Sequence, residues 1–81
     1  MQYIILFTSY YFADKADKEL TAAGIPHFLV ATPPEIHDAC GLALRIEAGL
    51  LEQVLAFLED HKISRSGIYT YEKGIESQRI G

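Results

Sequence analysis

An 81-residue chain has material for one domain and no second core, because a domain this short buries only about 60 to 65% of its unfolded surface. Hydrophobic residues at 49% and charged residues at 22% are ordinary globular usage, which argues against disorder. Seven Lys plus Arg against eleven Asp plus Glu leave a net charge of −4, a balance that repels a phosphate backbone and argues against nucleic acid as a partner.

The opening Met1-Gln-Tyr-Ile-Ile-Leu-Phe7 contains an apolar run but no basic segment before it and no small-residue cleavage site, and no apolar run approaches the length of a bilayer span. A single cysteine cannot form an internal disulfide and is easiest to keep in a reducing compartment. These features are those of a cytoplasmic protein with no membrane association.

In chain order, Gln2 to Thr8 is dense in β-branched and aromatic residues and too short for a helix, which predicts a strand apolar on both faces and therefore central. Ser9 is placed to cap a helix in which Phe12, Ala16, Leu20 and Ala23 recur near helical spacing, and Gly24 is placed to end it. The run Asp14-Lys15-Ala16-Asp17-Lys18-Glu19 alternates charge and reads as the solvated side of that helix. His27 to Thr32 has strand composition after Pro26, and Pro33-Pro34 stops it, directing a loop from Pro33 to Ala39 away from the sheet.

Cys40 to Ile46 is predicted as the third strand, with Cys40, Leu42, Leu44 and Ile46 on one face and Gly41, Ala43 and Arg45 on the other. A second helix is predicted from about Ala48 to His61, its apolar stripe formed by Leu51, Val54, Leu55 and Leu58. Ser64 to Gly67 reads as a turn and Gly67 to Tyr71 as a fourth strand. The polar residues from Glu72 to Gly81 form a tail or a short addition to the sheet edge.

The order βαββαβ, with helices of this length, predicts the α+β ferredoxin-like sandwich: a four-stranded antiparallel sheet with two helices on one face. Residues 1–72 would form the domain and 73–81 the tail. Strand residues of both parities are largely apolar, and Tyr3, Tyr69 and Tyr71 could stand partly wet on the uncovered face. That surplus is the argument for a homodimer formed through the sheet.

The unusual chemistry is concentrated between Pro33 and Arg45, which contains the only cysteine. Two readings of Cys40 stand side by side. Sharing parity with Leu42, Leu44 and Ile46, it fits a small buried hydrophobe. As the first residue after a polar loop, followed by Gly41 whose missing side chain admits close approach, it also fits a reactive thiol. A reactive thiol needs a nearby cation; His37 and Arg45 are near in sequence, and Arg45 lies on the opposite strand face.

His37 and Cys40 have the spacing of half a zinc site but lack a second pair of ligands. Glu35 and Asp38 could serve as an acid/base pair or cap the loop backbone. Phosphate-cradling glycine loops, nucleophile elbows and paired cysteines are absent from the sequence. No cofactor is indicated, and these absences argue against nucleotide chemistry, serine-hydrolase chemistry and dithiol redox.

On three segments the chain resembles the selenium/sulfur carrier protein-like family. These are Leu6-Phe-Thr-Ser9 running into the helix from Ala13 to Leu20, the turn Gly24-Ile-Pro26, and above all Pro33-Pro-Glu-Ile36 followed by Cys40-Gly-Leu-Ala-Leu-Arg45. The resemblance implies a small carrier in which Cys40 holds sulfur or selenium as a persulfide or selenosulfide. Gly41, Arg45, His37 and Glu35 would surround the cargo, and donor and acceptor proteins would be its partners. The chain departs from the family at Pro34, where members often carry a basic residue, and at His37-Asp38, which replace small hydroxyl residues. A missing cation and an added carboxylate both make a thiolate harder to form.

Overall fold

The computed structural model describes residues 1–36 and 41–81. Its elements run β1 (Gln2–Phe7), α1 (Tyr10–Ala22), β2 (Phe28–Ala31), β3 (Leu42–Glu47), α2 (Leu51–Asp60) and β4 (Arg65–Tyr71), with one 3-10 turn over Ala48–Leu50 leading into α2. The strands form a single antiparallel sheet in the order β2-β3-β1-β4. This is the ferredoxin-like arrangement that the element order predicts.

The apolar runs of β1 and β3 explain why these two strands take the middle of the sheet. On one face, Ile5, Phe7, Leu44 and Ile46 are buried together with Ala13, Ala16 and Leu20 of α1 and Val54 and Leu58 of α2, so both helices share that face. Burial of each large side chain in this cluster contributes roughly 1.5–3 kcal/mol. On the other face Ile4, Leu6 and Ala43 are also buried, although no helix covers them. Ile36 covers them instead: its N–H donates to the Pro33 carbonyl at 3.0 Å, closing a turn that folds the start of the β2–β3 loop back over the sheet. Proline in the second position of that turn pre-sets the backbone angle it needs.

Ser9 caps α1 as its sequence suggests, its Oγ accepting from the Phe12 N–H at 3.3 Å. The buried side of the helix is Ala13, Ala16 and Leu20, whereas Ala23 is exposed because it is the cap residue at which the chain turns away. Both helices end in the same motif. The Ile25 N–H donates to Leu20 and Gly24 to Thr21 after α1, while Ile63 donates to Leu58 and Lys62 to Glu59 after α2. The residue in left-handed conformation is Gly24 (φ 74°) in the first case and Lys62 (φ 55°) in the second.

Beside one-residue differences at the ends of β1, β2 and α2, where Thr8, Thr32 and His61 fall just outside, four differences from the sequence reading have a cause in the fold. His27 precedes β2 rather than belonging to it, because its ring is drawn toward α1: Nδ1 donates to the Ile25 carbonyl at 2.8 Å, and Nε2 lies 2.7 Å from Asp17 Oδ1. Asp17 is therefore partnered rather than simply solvated, whereas Asp14 and Lys18, one turn apart at 2.9 Å, form the exposed pair the charge pattern suggests. The first turn expected for α2 is 3-10, a common way to enter a helix tightly from a strand. Arg65 and Ser66 join β4 instead of forming a turn, because Phe7 pairs with Arg65 while Leu6 pairs with Gly67, leaving Ser66 as the extra residue of a bulge.

The fourth difference is at β3, which begins at Leu42. The pairing extends one residue further, where the Thr32 N–H donates to the Gly41 carbonyl at 3.0 Å. The expected start of this strand at Cys40 lies outside the described residues.

The chain's last residues close one sheet edge. Thr70 donates to Gln78, Ile80 to Ile68 and Ile68 to Gly81, at 2.8 to 3.1 Å, so Gln78–Gly81 runs antiparallel along the outer side of β4. The edge formed by β2 has no such cover among the described residues, and Phe28 there is 56% exposed.

Candidate functional site

Strand alternation sends Arg45 to the face without helices, and the register decides its neighbours. It stands opposite Ile4 on β1 and Phe28 on β2. Its guanidinium lies 4.8 Å from the centre of the Phe28 ring and 5.9 Å from that of Tyr71, so the cation sits between two aromatic faces. Each such contact is worth about 0.5–1 kcal/mol where water still reaches it. Arg45 Nε is shut off from solvent and has no hydrogen-bond partner among the described residues. Among the described residues, the ion pairs join Lys18 to Asp14, His27 to Asp17 and His61 to Glu19, and none involves Arg45. A donor taken from water without an acceptor costs about 1–3 kcal/mol, a cost that the two aromatic contacts offset in part.

Beside it is a cavity of about 250 Å³, bounded by Ile4, Val30, Ala31, Tyr71 and the two prolines Pro33 and Pro34. Its floor is the sheet and its wall is the turn that the Pro-Pro pair directs. Its walls are mostly aliphatic or aromatic carbon, and among the described residues the charged group that lines it is the guanidinium. Such a space can hold a small molecule with an apolar body and one negative end.

The residues singled out from the sequence are dispersed differently. Glu35 is exposed in the Pro33–Ile36 turn. Gly41 lies beside the first turn of α1: a Cβ built there would come within 2.6 Å of the Tyr10 hydroxyl. The close approach that a glycine permits at this position is thus made by the chain's own Tyr10. Arg45 is four residues further along β3, roughly 13 Å at strand rise, and faces the cavity. His37 and Cys40, with Asp38 of the acid/base reading, lie outside the described residues, as does the proposed half-site for a metal. No cluster of three His, Cys, Asp or Glu side chains occurs among the described residues.

Two contributors, Phe28 and Tyr10, were not marked by sequence reasoning, and Tyr71 was marked only as an aromatic of the uncovered face. Phe28 and Val30 alternate toward one face of β2, and Gly67, Tyr69 and Tyr71 toward one face of β4, so a strand-parity argument reaches them once the sheet order is known. Tyr10 has no sequence signal; only the packing of α1 against the end of β3 brings it to Gly41.

Among the described residues no helix is long and apolar enough to cross a membrane. No curated protein and no solved structure matches the chain significantly. The model of one family, described as "Putative Se/S carrier protein-like", matches residues 2–70, a span that runs from β1 almost to the end of β4 and includes the whole stretch from Pro33 to Arg45; the chain belongs to that family.

Proposed function

We propose that this protein carries sulfane sulfur or selenium on Cys40 and hands it from a donor protein to an acceptor. The observation that supports this most is the family match, which spans the only cysteine in the chain together with Gly41 and Arg45. In this reading the Cys40 thiolate attacks the terminal sulfur of a donor persulfide. A new S–S bond forms at Cys40, the donor's own S–S bond breaks, and the electron pair leaves with the donor thiolate. The transferred atom already carries the required oxidation level, so no external oxidant or cofactor enters the step. Selenium follows the same course as a selenosulfide. Delivery is the reverse attack by an acceptor thiolate on the outer atom.

Glu35, His37 and Arg45 would tune access and charge around the loop, with Gly41 and Tyr10 defining the backbone next to the thiol. The test is alkylation of the native protein as a function of pH, followed by mass spectrometry with and without a persulfide donor. The carrier reading predicts fast labelling with a midpoint below the ordinary cysteine value of about 8.5 and a gain of one sulfur atom. Cys40→Ser should keep the fold and lose the gain. Labelling only upon unfolding, with no mass gain, would reject it.

A second reading is an assembly module acting through the sheet, with Cys40 packed. The bare β2 edge and the exposed Phe28 favour it. It predicts a homodimer mass in light scattering that falls to monomer when Phe28 is replaced by Lys; a monomer at all working concentrations rejects it.

A further inference from the structure

We propose that the cavity over Arg45 is a binding site for a small organic carboxylate with an apolar body, an inference that does not rest on the carrier reading. Three observations support this. The guanidinium is charged at any physiological pH and presents a planar fork that matches a carboxylate. It has no carboxylate partner among the described residues, and one of its donors is already desolvated without an acceptor. It lies over the rings of Phe28 and Tyr71, contacts that attract the cation without neutralising its charge. Among the described residues the site is therefore organised around a cation with which no anion is paired.

The walls select the class of anion. A sulfate or phosphate would turn several oxygens toward the side chains of Ile4, Val30, Pro33 and Pro34, which have no hydrogen-bond donor, and burying them there carries a cost. A carboxylate directs both oxygens at the guanidinium and leaves its carbon body against the aliphatic walls and the Tyr71 ring. A volume of about 250 Å³ lies near the lower end of ligand pockets and suits a single ring or its equivalent. A peptide chain is disfavoured because Ile36, folded over Leu6 and Ala43, closes the end of the face beyond the prolines.

The experiment titrates the full 81-residue protein, isotope-labelled for NMR, with benzoate, benzamide and inorganic sulfate. Benzoate is expected to give saturable shifts of the Arg45 Nε–Hε signal and of the Ile4 and Val30 methyl groups. Benzamide, identical in shape but uncharged, should bind at least about tenfold more weakly, the loss of a charge-assisted pair. Sulfate should be weaker than benzoate, and Arg45→Met should abolish the benzoate response while keeping native signal dispersion. Absence of saturable shifts, equal binding of benzoate and benzamide, sulfate as strong as benzoate, or a full response in Arg45→Met would each overturn the proposal. The comparison of the three probes on the unmodified protein decides the matter even if the variant does not fold.

Discussion

The two helix ends provide a matched internal experiment, since α1 and α2 close with the same hydrogen-bond pattern but different residues in the left-handed position. After α1 that residue is Gly24 at φ 74°, and after α2 it is Lys62 at φ 55°. An L-residue with a Cβ pays about 1–2 kcal/mol in this conformation, and a glycine pays about 0.5–1 kcal/mol in lost freedom on folding. The difference favours glycine by about 0.5–1 kcal/mol at either site. Lys62→Gly should therefore raise stability by that amount, and Gly24→Ala should lower it by a similar amount. Lys62 is exposed, and no ion pair among the described residues would be lost. A Cβ at Gly24 would meet nothing within 4 Å, so its cost would be backbone conformation alone.

Guanidinium chloride unfolding is the appropriate assay, with the midpoint moving and the slope unchanged. In thermal melts each change should be about 2–8 °C for a domain this size. If both variants were indistinguishable from wild type, or if Gly24→Ala were the more stable, the assignment of these helix ends to left-handed caps would be refuted.

Other consequences follow from the same geometry. Gly41→Ala places a methyl against the Tyr10 hydroxyl, but Tyr10 is 60% exposed and its ring can swing outward. The loss should stay under about 1 kcal/mol, with the Tyr10 ring signals displaced; a loss above about 3 kcal/mol would mean that the ring is locked. Removing Gln78–Gly81 deletes three backbone hydrogen bonds to β4 and bares its edge. Expected are a loss of about 1–3 kcal/mol in urea titration and sedimentation that becomes concentration-dependent, while unchanged behaviour in both would show the tail to be inert. Asp17→Asn replaces the charged partner of a largely enclosed His27 and should cost about 1–2 kcal/mol near neutral pH, read by the same titration, with no effect if the His27 ring is held by the Ile25 carbonyl alone.

Much of this architecture is legible one residue at a time. The period of the apolar positions gives Val54 and Leu58 of α2 and the two-faced apolarity of β1, and Ser9 and Gly24 mark the limits of α1 by their capping chemistry. These signals are local, because backbone periodicity and cap hydrogen bonds operate over a few residues. Where a local signal competes with pairing, it loses. Ser64 to Gly67 has turn composition, yet Arg65 and Ser66 extend β4 because Phe7 offers a strand partner across the bulge. Ala23 has the right spacing for the core of α1 but falls where the cap turns the chain outward.

The candidate site divides in the same way. Arg45 is conspicuous in sequence as the one charge between Cys40 and Ile46, and the residue pattern from Pro33 to Arg45 carries the resemblance to the family. What surrounds Arg45 is decided only by tertiary structure. Phe28 and Tyr71 lie 17 residues before it and 26 after it in the chain, and they reach the guanidinium because the sheet order β2-β3-β1-β4 and its register put them there. The Pro-Pro turn becomes a cavity wall only when Ile36 finds Leu6 and Ala43 to pack against. Sequence determined the elements, their faces and the family through short-range rules; the pocket and the guanidinium that lines it come together through contacts between residues far apart in the chain, which only the register and packing of the folded sheet specify.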